Sequence, residues 1–222
     1  MSRLIKSLLL ITLFITLTTF NSNNQNQVKG IFFGIKNIII EDTYSIDTLK
    51  LKADLEFLRG TSLFFLNEKK IIDVISKYDF VSNMFLRKSY PNTIKIIISE
   101  KKPIAVQVIG NDKFFITIKG EKLNYINTEA YKDLPIIFGN QKNFSSFYNE
   151  INESNFTTSQ VKAFYYFDIG RWDIVLKNDK TIKLPKKNYM EILKKVDAIL
   201  LDSSFSKYKI FDYRIEGQLI LQ

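Results

Sequence analysis

Acid–base, nucleophilic and metal chemistry usually starts from histidine or cysteine, and this 222-residue chain contains neither. That removes Ser-His-Asp triads, Cys-His pairs, histidine or thiolate metal sites and any disulfide framework. Carboxylates, lysines and Ser-Lys pairs remain. A carboxylate-dependent hydrolase of envelope glycan would need two carboxyl groups facing each other across a groove at about 5–10 Å. The carboxylates do not group as a calcium loop, and there is no glycine-rich phosphate loop. The sequence is therefore expected to be non-catalytic and to need no cofactor or metal. What is left is recognition chemistry. Trp172 is the single tryptophan. It reads either as a core strand aromatic or as a partner-surface anchor, a role in which Trp and Tyr are enriched. Arg171 and Arg214 read most simply as solvated strand charges. The Asn-x-Ser/Thr matches at Asn143, Asn152 and Asn155 are expected by chance in so Asn-rich a chain.

The net charge of +9 could signal nucleic acid, an anionic membrane or an acidic partner. Lys, Ile, Asn and Phe are abundant, whereas Gly (8) and Pro (4) are scarce, so the basic excess reads as compositional drift over the whole surface. The N-terminus is more specific. Arg3 and Lys6 precede an uncharged run from Ser7 to Phe20. Fourteen residues of helix rise about 21 Å, and twenty counted from Met1 rise about 30 Å, which just spans a bilayer core. A signal peptide has this length too, but Asn21-Ser22-Asn23-Asn24 supplies no small-residue cleavage site. Residues 1–20 are expected to be an uncleaved anchor, with the N-terminus cytoplasmic by the positive-inside rule. A polar linker follows over 21–29, with "NSNNQNQ" (Asn21 to Gln27) offering nothing to bury.

Residues 30–102 read as a first domain. A strand runs through Ile38-Ile39-Ile40. Ser45 is placed as N-cap of a helix through Leu58, with Ile46, Leu49, Ala53 and Phe57 on its inner face. Asn67 caps a second helix whose inner face is Ile71, Val74, Ile75 and Tyr78. A hairpin closes the domain, with Met84 and Leu86 on one face of its first strand. Ile94, Ile96 and Ile98 share one face of the second, and Glu100 has their parity, pointing inward in need of a basic partner. Two helices on one face of a small mixed sheet is the simplest packing. Residues 103–222 read as a mostly antiparallel β domain. Its turns fall at Asn111-Asp112-Lys113, Gly120 and Asn178-Asp179-Lys180. A short helix carries Phe144, Phe147, Tyr148 and Ile151. A longer one, from about Lys186 to Leu201, carries Tyr189, Ile192, Leu193, Val196, Ile199 and Leu200. Two short strands about Gly217 end the chain. The fold class is thus α+β.

The run "GTSLFFLNEKKIIDVISKYDFVSNMFLRKSYPNTIKIIISEKKPIA" resembles the POTRA domain of the bacterial cell-division family FtsQ, called DivIB in Gram-positives. Gly60, Leu63, Phe64, Leu66, Phe80, Val81, Lys88, Tyr90, Pro91, Thr93, Ile94, Ile96, Glu100, Pro103 and Ala105 stand at the family's places. Ser62, Asn67, Lys88 and Tyr90 are conservative departures. Farther on, Leu134-Pro135 with Gly139, Arg171 to Leu176, Asp179, Lys183, Leu184-Pro185, Asp212 and Arg214 look like motifs of the family's second domain. The resemblance implies a single-pass inner-membrane scaffold at the division septum, with periplasmic domains. It implies FtsB- and FtsL-like bitopic partners held along the last strands, and other divisome proteins at the POTRA domain. On that basis Arg171, Trp172, Tyr213, Arg214, Ile215, Leu219 and Ile220 are the expected partner-binding residues. A partner segment would add to an exposed sheet edge, and "GQLILQ", short, apolar and without gatekeeping charge, suits such an edge unless it is a buried last strand. A different POTRA-containing envelope-assembly protein is the alternative reading.

Overall fold

The computed structural model describes residues 3–19, 32–140, 143–154 and 156–222. The expected linker and the Asn155 motif lie outside the described residues. Helix α1 (Arg3–Thr19) exposes Leu8, Leu10 and Phe14 by two thirds or more of their surface and stands apart from both cores. Its 17 residues rise about 25 Å, against about 30 Å of bilayer hydrocarbon. No helix among the described residues is long and apolar enough to cross a membrane.

The first domain is a three-stranded sheet ordered β1-β3-β2: β1 (Asn37–Glu41), β2 (Val81–Ser89) and β3 (Thr93–Glu100). β1 lies parallel to β3 with Ile38 opposite Ile94 and Ile40 opposite Ile96. β2 lies antiparallel with Met84 opposite Ile98 and Leu86 opposite Ile96. Ile94, Ile96 and Ile98 are buried as their two-residue period requires. Helices α2 (Thr48–Asp54) and α3 (Glu68–Ile75) contribute Leu51, Ile71 and Ile75 to the same core, and the α2 C-cap contributes Leu55. Each aliphatic side chain so buried contributes about 1.5–3 kcal/mol. Asn67 caps α3 as expected, accepting the Lys70 N–H at 3.2 Å.

Two expectations for this domain are corrected together. Ser45 does not cap α2; Asp47 does, accepting from Leu49 N–H and Lys50 N–H. Among the described residues Glu100 has no basic partner. Its carboxylate accepts the N–H groups of Tyr44, Ser45 and Ile46 at 2.9–3.2 Å. Those bonds hold the 44–46 segment outside any helix, so α2 starts later. Its phase shifts as well: Leu49 is 79% exposed, and Leu51, Leu55 and Leu58 face inward instead. The stretch offers two sets at helical spacing, and the one with three leucines buries more apolar area.

The second domain is a nine-stranded sheet ordered β12-β11-β10-β9-β8-β7-β4-β5-β6. Its strands are β4 (Pro103–Ile109), β5 (Asp112–Thr117), β6 (Lys122–Asn124), β7 (Ile136–Phe138), β8 (Val161–Phe167), β9 (Arg171–Leu176), β10 (Thr181–Lys183), β11 (Ile210–Asp212) and β12 (Ile220–Leu221). The β4–β7, β7–β8 and β10–β11 pairs are parallel and the rest antiparallel. Parallel neighbours need a crossover, and helices supply two. α4 (Phe144–Glu153) joins β7 to β8, and α5 (Tyr189–Leu201) joins β10 to β11. α5 starts three residues later than its spacing suggested, because Asn188 is left-handed at φ 60°.

Both crossover helices cover one face, whose core includes Phe164, Trp172, Ile174 and Ile182. Where β7 passes to α4, Gly139 has φ 94°, and a Cβ there would lie 2.5 Å from the Tyr166 carbonyl oxygen. Only glycine fits. On the opposite face, Val106, Phe115 and Leu123 of β4–β6 are buried in the first domain's core, not in their own. The Phe115 ring lies 6.1 Å from Phe80 and 5.1 Å from Tyr131, and Ser45 and Tyr131 share a 2.8 Å hydroxyl hydrogen bond.

Candidate partner-binding surface

The last strand, β12, is an edge. Ile210 and Gln222 exchange both backbone hydrogen bonds, N–H to C=O at 3.0 and 3.1 Å. The next pair, Phe211 and Leu221, is therefore non-hydrogen-bonded, and its backbone groups point away from each other. Those of Phe211 turn to β10. Those of Leu221 turn to the open side of the sheet. Leu221 is half-buried and Ile220 is 39% exposed, so the last strand is neither covered nor fully solvated.

Behind this edge lies a groove of about 840 Å³ between α5 and the chain from Tyr213 to Leu219. Glu191, Ile192, Lys195 and Ile199 form its helix side. Leu193 and Val196 fasten that helix to the sheet, leaving Ile192 and Ile199 half-buried along the groove. The other wall turns at Gly217 (φ 74°), where Gln218 N–H bonds the Ile215 carbonyl at 3.1 Å. Tyr213 N–H extends the parallel ladder to the Lys183 carbonyl at 2.9 Å. Its hydroxyl is buried, with no hydrogen-bond partner among the described residues, and burial pushes its pKa up.

The sheet face away from α4 and α5 carries a charged row. The strand registers set Phe138, Tyr165, Asp173, Lys183, Asp212 and Ile220 side by side across six strands. Arg214 grips Asp212 with Nε at 2.8 Å from Oδ1 and Nη2 at 2.6 Å from Oδ2, while its own side chain stays 44% exposed. Arg171 sits with Nε 3.2 Å from Asp173 Oδ1, close enough to attract but too poorly aligned for a hydrogen bond. Its guanidinium stacks over Phe167 at 4.3 Å. Three cations (Arg171, Lys183, Arg214) thus meet two anions (Asp173, Asp212), and the row keeps a positive excess.

The two aspartates respond oppositely to this setting. The hydrogen bonds from Arg214 hold the Asp212 carboxyl below its ordinary pKa. Burial pushes Asp173 up, against the pull of Arg171, Lys183 and Arg214. A lowered carboxylate contributes stability that is present above its unfolded pKa and lost as pH falls through the folded one. Asp173 has the reverse sign, its charged form costing stability as pH rises through its raised value. Acidification from neutral pH should therefore relieve Asp173 first and then, below about pH 4, forfeit the Asp212 contribution. In Asp212→Asn that second, low-pH loss should shrink in urea unfolding midpoints measured from pH 6 to pH 2.5. An unchanged low-pH slope would contradict the pairing.

Of the seven residues expected at the partner surface, Tyr213, Arg214, Ile215 and Leu219 line the groove. Ile220 stands on the edge strand, and Arg171 lies on the charged face two strands further in than β11. Trp172 is a correction. It is 4% exposed and stacked on Phe147 at 4.5 Å, in the core beneath α4. Successive strand residues point to opposite faces, so Arg171 and Trp172 cannot share one surface. Sequence reasoning missed Asp173 and Lys183 in the charged row, and Ile192, Lys195 and Ile199 in the groove. Strand parity with Arg171 was the available signal for Asp173.

Residues 33–101 match the family model "POTRA domain, FtsQ-type", and residues 105–214 match "Cell division protein FtsQ/DivIB, C-terminal". The chain belongs to the FtsQ/DivIB family. It is 28% identical over 194 residues to cell division protein FtsQ of Rickettsia bellii, covering 86% of this chain and 72% of that protein. FtsQ of Rhizobium meliloti is 25% identical over 158 residues, 70% of this chain and 51% of its own length. DivIB of Clostridium acetobutylicum is 32% identical over 89 residues, 40% of this chain and 36% of its own. Among solved structures, the major extracytoplasmic domain of DivIB from Geobacillus stearothermophilus aligns at TM-score 0.33 and 14% identity, over 46% of this chain and 92% of that one. The FtsQ/DivIB assignment rests on the two family models and the sequence relatives, and it makes cell division the chain's general role.

Proposed function

We propose that this FtsQ/DivIB member is a non-catalytic scaffold of the division machinery that takes up an extended partner segment along β12. The observation that carries it is the open edge at Leu221, backed by the groove under α5. Main-chain hydrogen bonds to that edge supply affinity. Ile220, Leu219 and Ile215 offer apolar contact, while Arg214, Lys183 and Arg171 select a segment with acidic side chains. Bitopic division proteins of the FtsB and FtsL kind are the partners the family resemblance suggests, with further divisome proteins at the POTRA domain. In this reading α1 sits in the inner membrane with Lys6 snorkelling to the cytoplasmic side, and both folded domains lie in the periplasm at the septum. Leu8, Leu10 and Phe14 of α1 are largely exposed, and apolar side chains left open in this way favour a lipid environment.

Depletion in the native cell tests the role. Filaments with unfinished septa are the expected outcome. Normal septa accompanied by envelope-assembly defects would overturn it.

A further inference from the structure

We propose that an aromatic platform on the first domain seats in the headgroup–acyl boundary of the membrane that holds α1. The inference rests on the reading of α1 as membrane-inserted. The platform is made by three connections at one end of the domain. Phe33 is its hub, with ring centroids 4.6 Å from Phe32, 5.1 Å from Phe64 and 5.2 Å from Tyr90. Phe32, Phe64 and Tyr90 are each more than half exposed, and the neighbouring Phe65 is 90% exposed.

Backbone bonds fasten the connections together. Leu63 N–H bonds the Phe33 carbonyl at 3.0 Å, Ser62 Oγ donates to the Phe32 carbonyl at 2.9 Å, and Lys36 N–H bonds the Asn92 carbonyl at 2.8 Å. Phe33 is held at φ 55°, a left-handed conformation that bulky residues rarely adopt. The fold keeps this conformation although it leaves three neighbouring phenylalanines facing water. Such a contiguous exposed aromatic patch marks an interaction surface.

Its place on the chain identifies the occupant. α1 ends at Thr19 and the platform starts at Phe32, so thirteen peptide steps separate them, at most about 45 Å of chain. Whatever surface holds α1 is therefore always within reach of the platform. Phenylalanine and tyrosine suit the boundary between acyl chains and headgroups, where a ring can sit in apolar surroundings and a hydroxyl can stay wet.

The chain has no cysteine, so Phe65→Cys can be labelled uniquely in the full-length protein. The label would be an environment-sensitive dye. The protein would be reconstituted into vesicles of phosphatidylethanolamine and phosphatidylglycerol carrying spin-labelled lipids. Leu10→Cys reports whether α1 is inserted, and Lys177→Cys, on the exposed β9–β10 turn, reports the bulk surface. A headgroup-proximal spin label should quench the Phe65 position several-fold more than the Lys177 position. A spin label deep in the acyl chains should quench Leu10 most. Adding Phe32→Ser and Phe64→Ser should return the Phe65 label to the Lys177 level; persistence would show the dye inserting by itself and overturn the proposal. Quenching at Leu10 without quenching at Phe65 overturns the platform while the anchor stands, and if Phe64→Ser then still blocks division, the surface serves a protein partner. No quenching at Leu10 overturns both.

Discussion

Leu221→Pro leaves the protein folded and abolishes uptake of a partner strand. The backbone N–H of Leu221 faces the open side of the sheet, so losing it breaks no bond to β11. Proline is tolerated on an edge strand in that orientation, and the preceding residue is already extended. An incoming strand, however, loses a donor and meets the pyrrolidine ring. With each main-chain hydrogen bond worth about 1 kcal/mol net and the ring barring close approach, affinity should fall at least about 100-fold. The comparison is Ile220→Pro, whose N–H faces β11 by the two-residue alternation. That variant should lose the strand itself as well as the partner. Titration calorimetry against an acidic-flanked partner segment, with thermal melts of each variant, reads both quantities. Wild-type affinity in a folded Leu221→Pro protein would eliminate edge addition.

Trp172→Ala should unfold much of the second domain's margin of stability. The ring stacks on Phe147 within 8° of parallel, lies 4.8 Å from Tyr166 and 5.9 Å from Phe144, and is fully enclosed between sheet and α4. Truncating a buried tryptophan costs about 3–5 kcal/mol in transfer and cavity energy. Against a usual total of about 5–15 kcal/mol, that is a large fraction, or a fall of roughly 6–20 °C in melting temperature for a chain of this size. Trp172→Phe keeps the stacking and should cost far less. Circular dichroism is the proper probe, since the sole tryptophan is the one removed. A variant with unchanged melting but lost partner binding would return Trp172 to the surface role its residue type alone suggested.

That reversal shows where the chain was legible and where it was not. Periodicity in two residues placed Ile94, Ile96 and Ile98 inward, because β3 is central in its sheet and has one choice of face. The same rule would have separated Arg171 from Trp172, but adjacency in sequence invites reading them as one patch. α2 was misphased because Leu49 and Leu51 both continue helical sets, and only the sheet beneath decides between them. The role of Glu100 was hidden for a similar reason. Its partners are three backbone amides more than fifty residues earlier, and backbone donors leave no mark in a sequence. β7 was missed because three residues are too few to show a period, although it holds β4 and β8 together. At the groove, the turn about Gly217 was readable from turn chemistry, and it sets the wall from Tyr213 to Leu219. Ile192, Lys195 and Ile199 were not, since α5 spends its strongest apolar residues on the sheet and offers the groove only its flank.

The seam between the two domains has a mechanical consequence. Phe115, Val106 and Leu123 leave the large sheet to complete the small domain's interior, where Phe80 and Tyr131 close around them. A hinge there would have to pull apart packed rings and expose them to water. The shared core therefore resists bending between the first domain and the edge at Leu221.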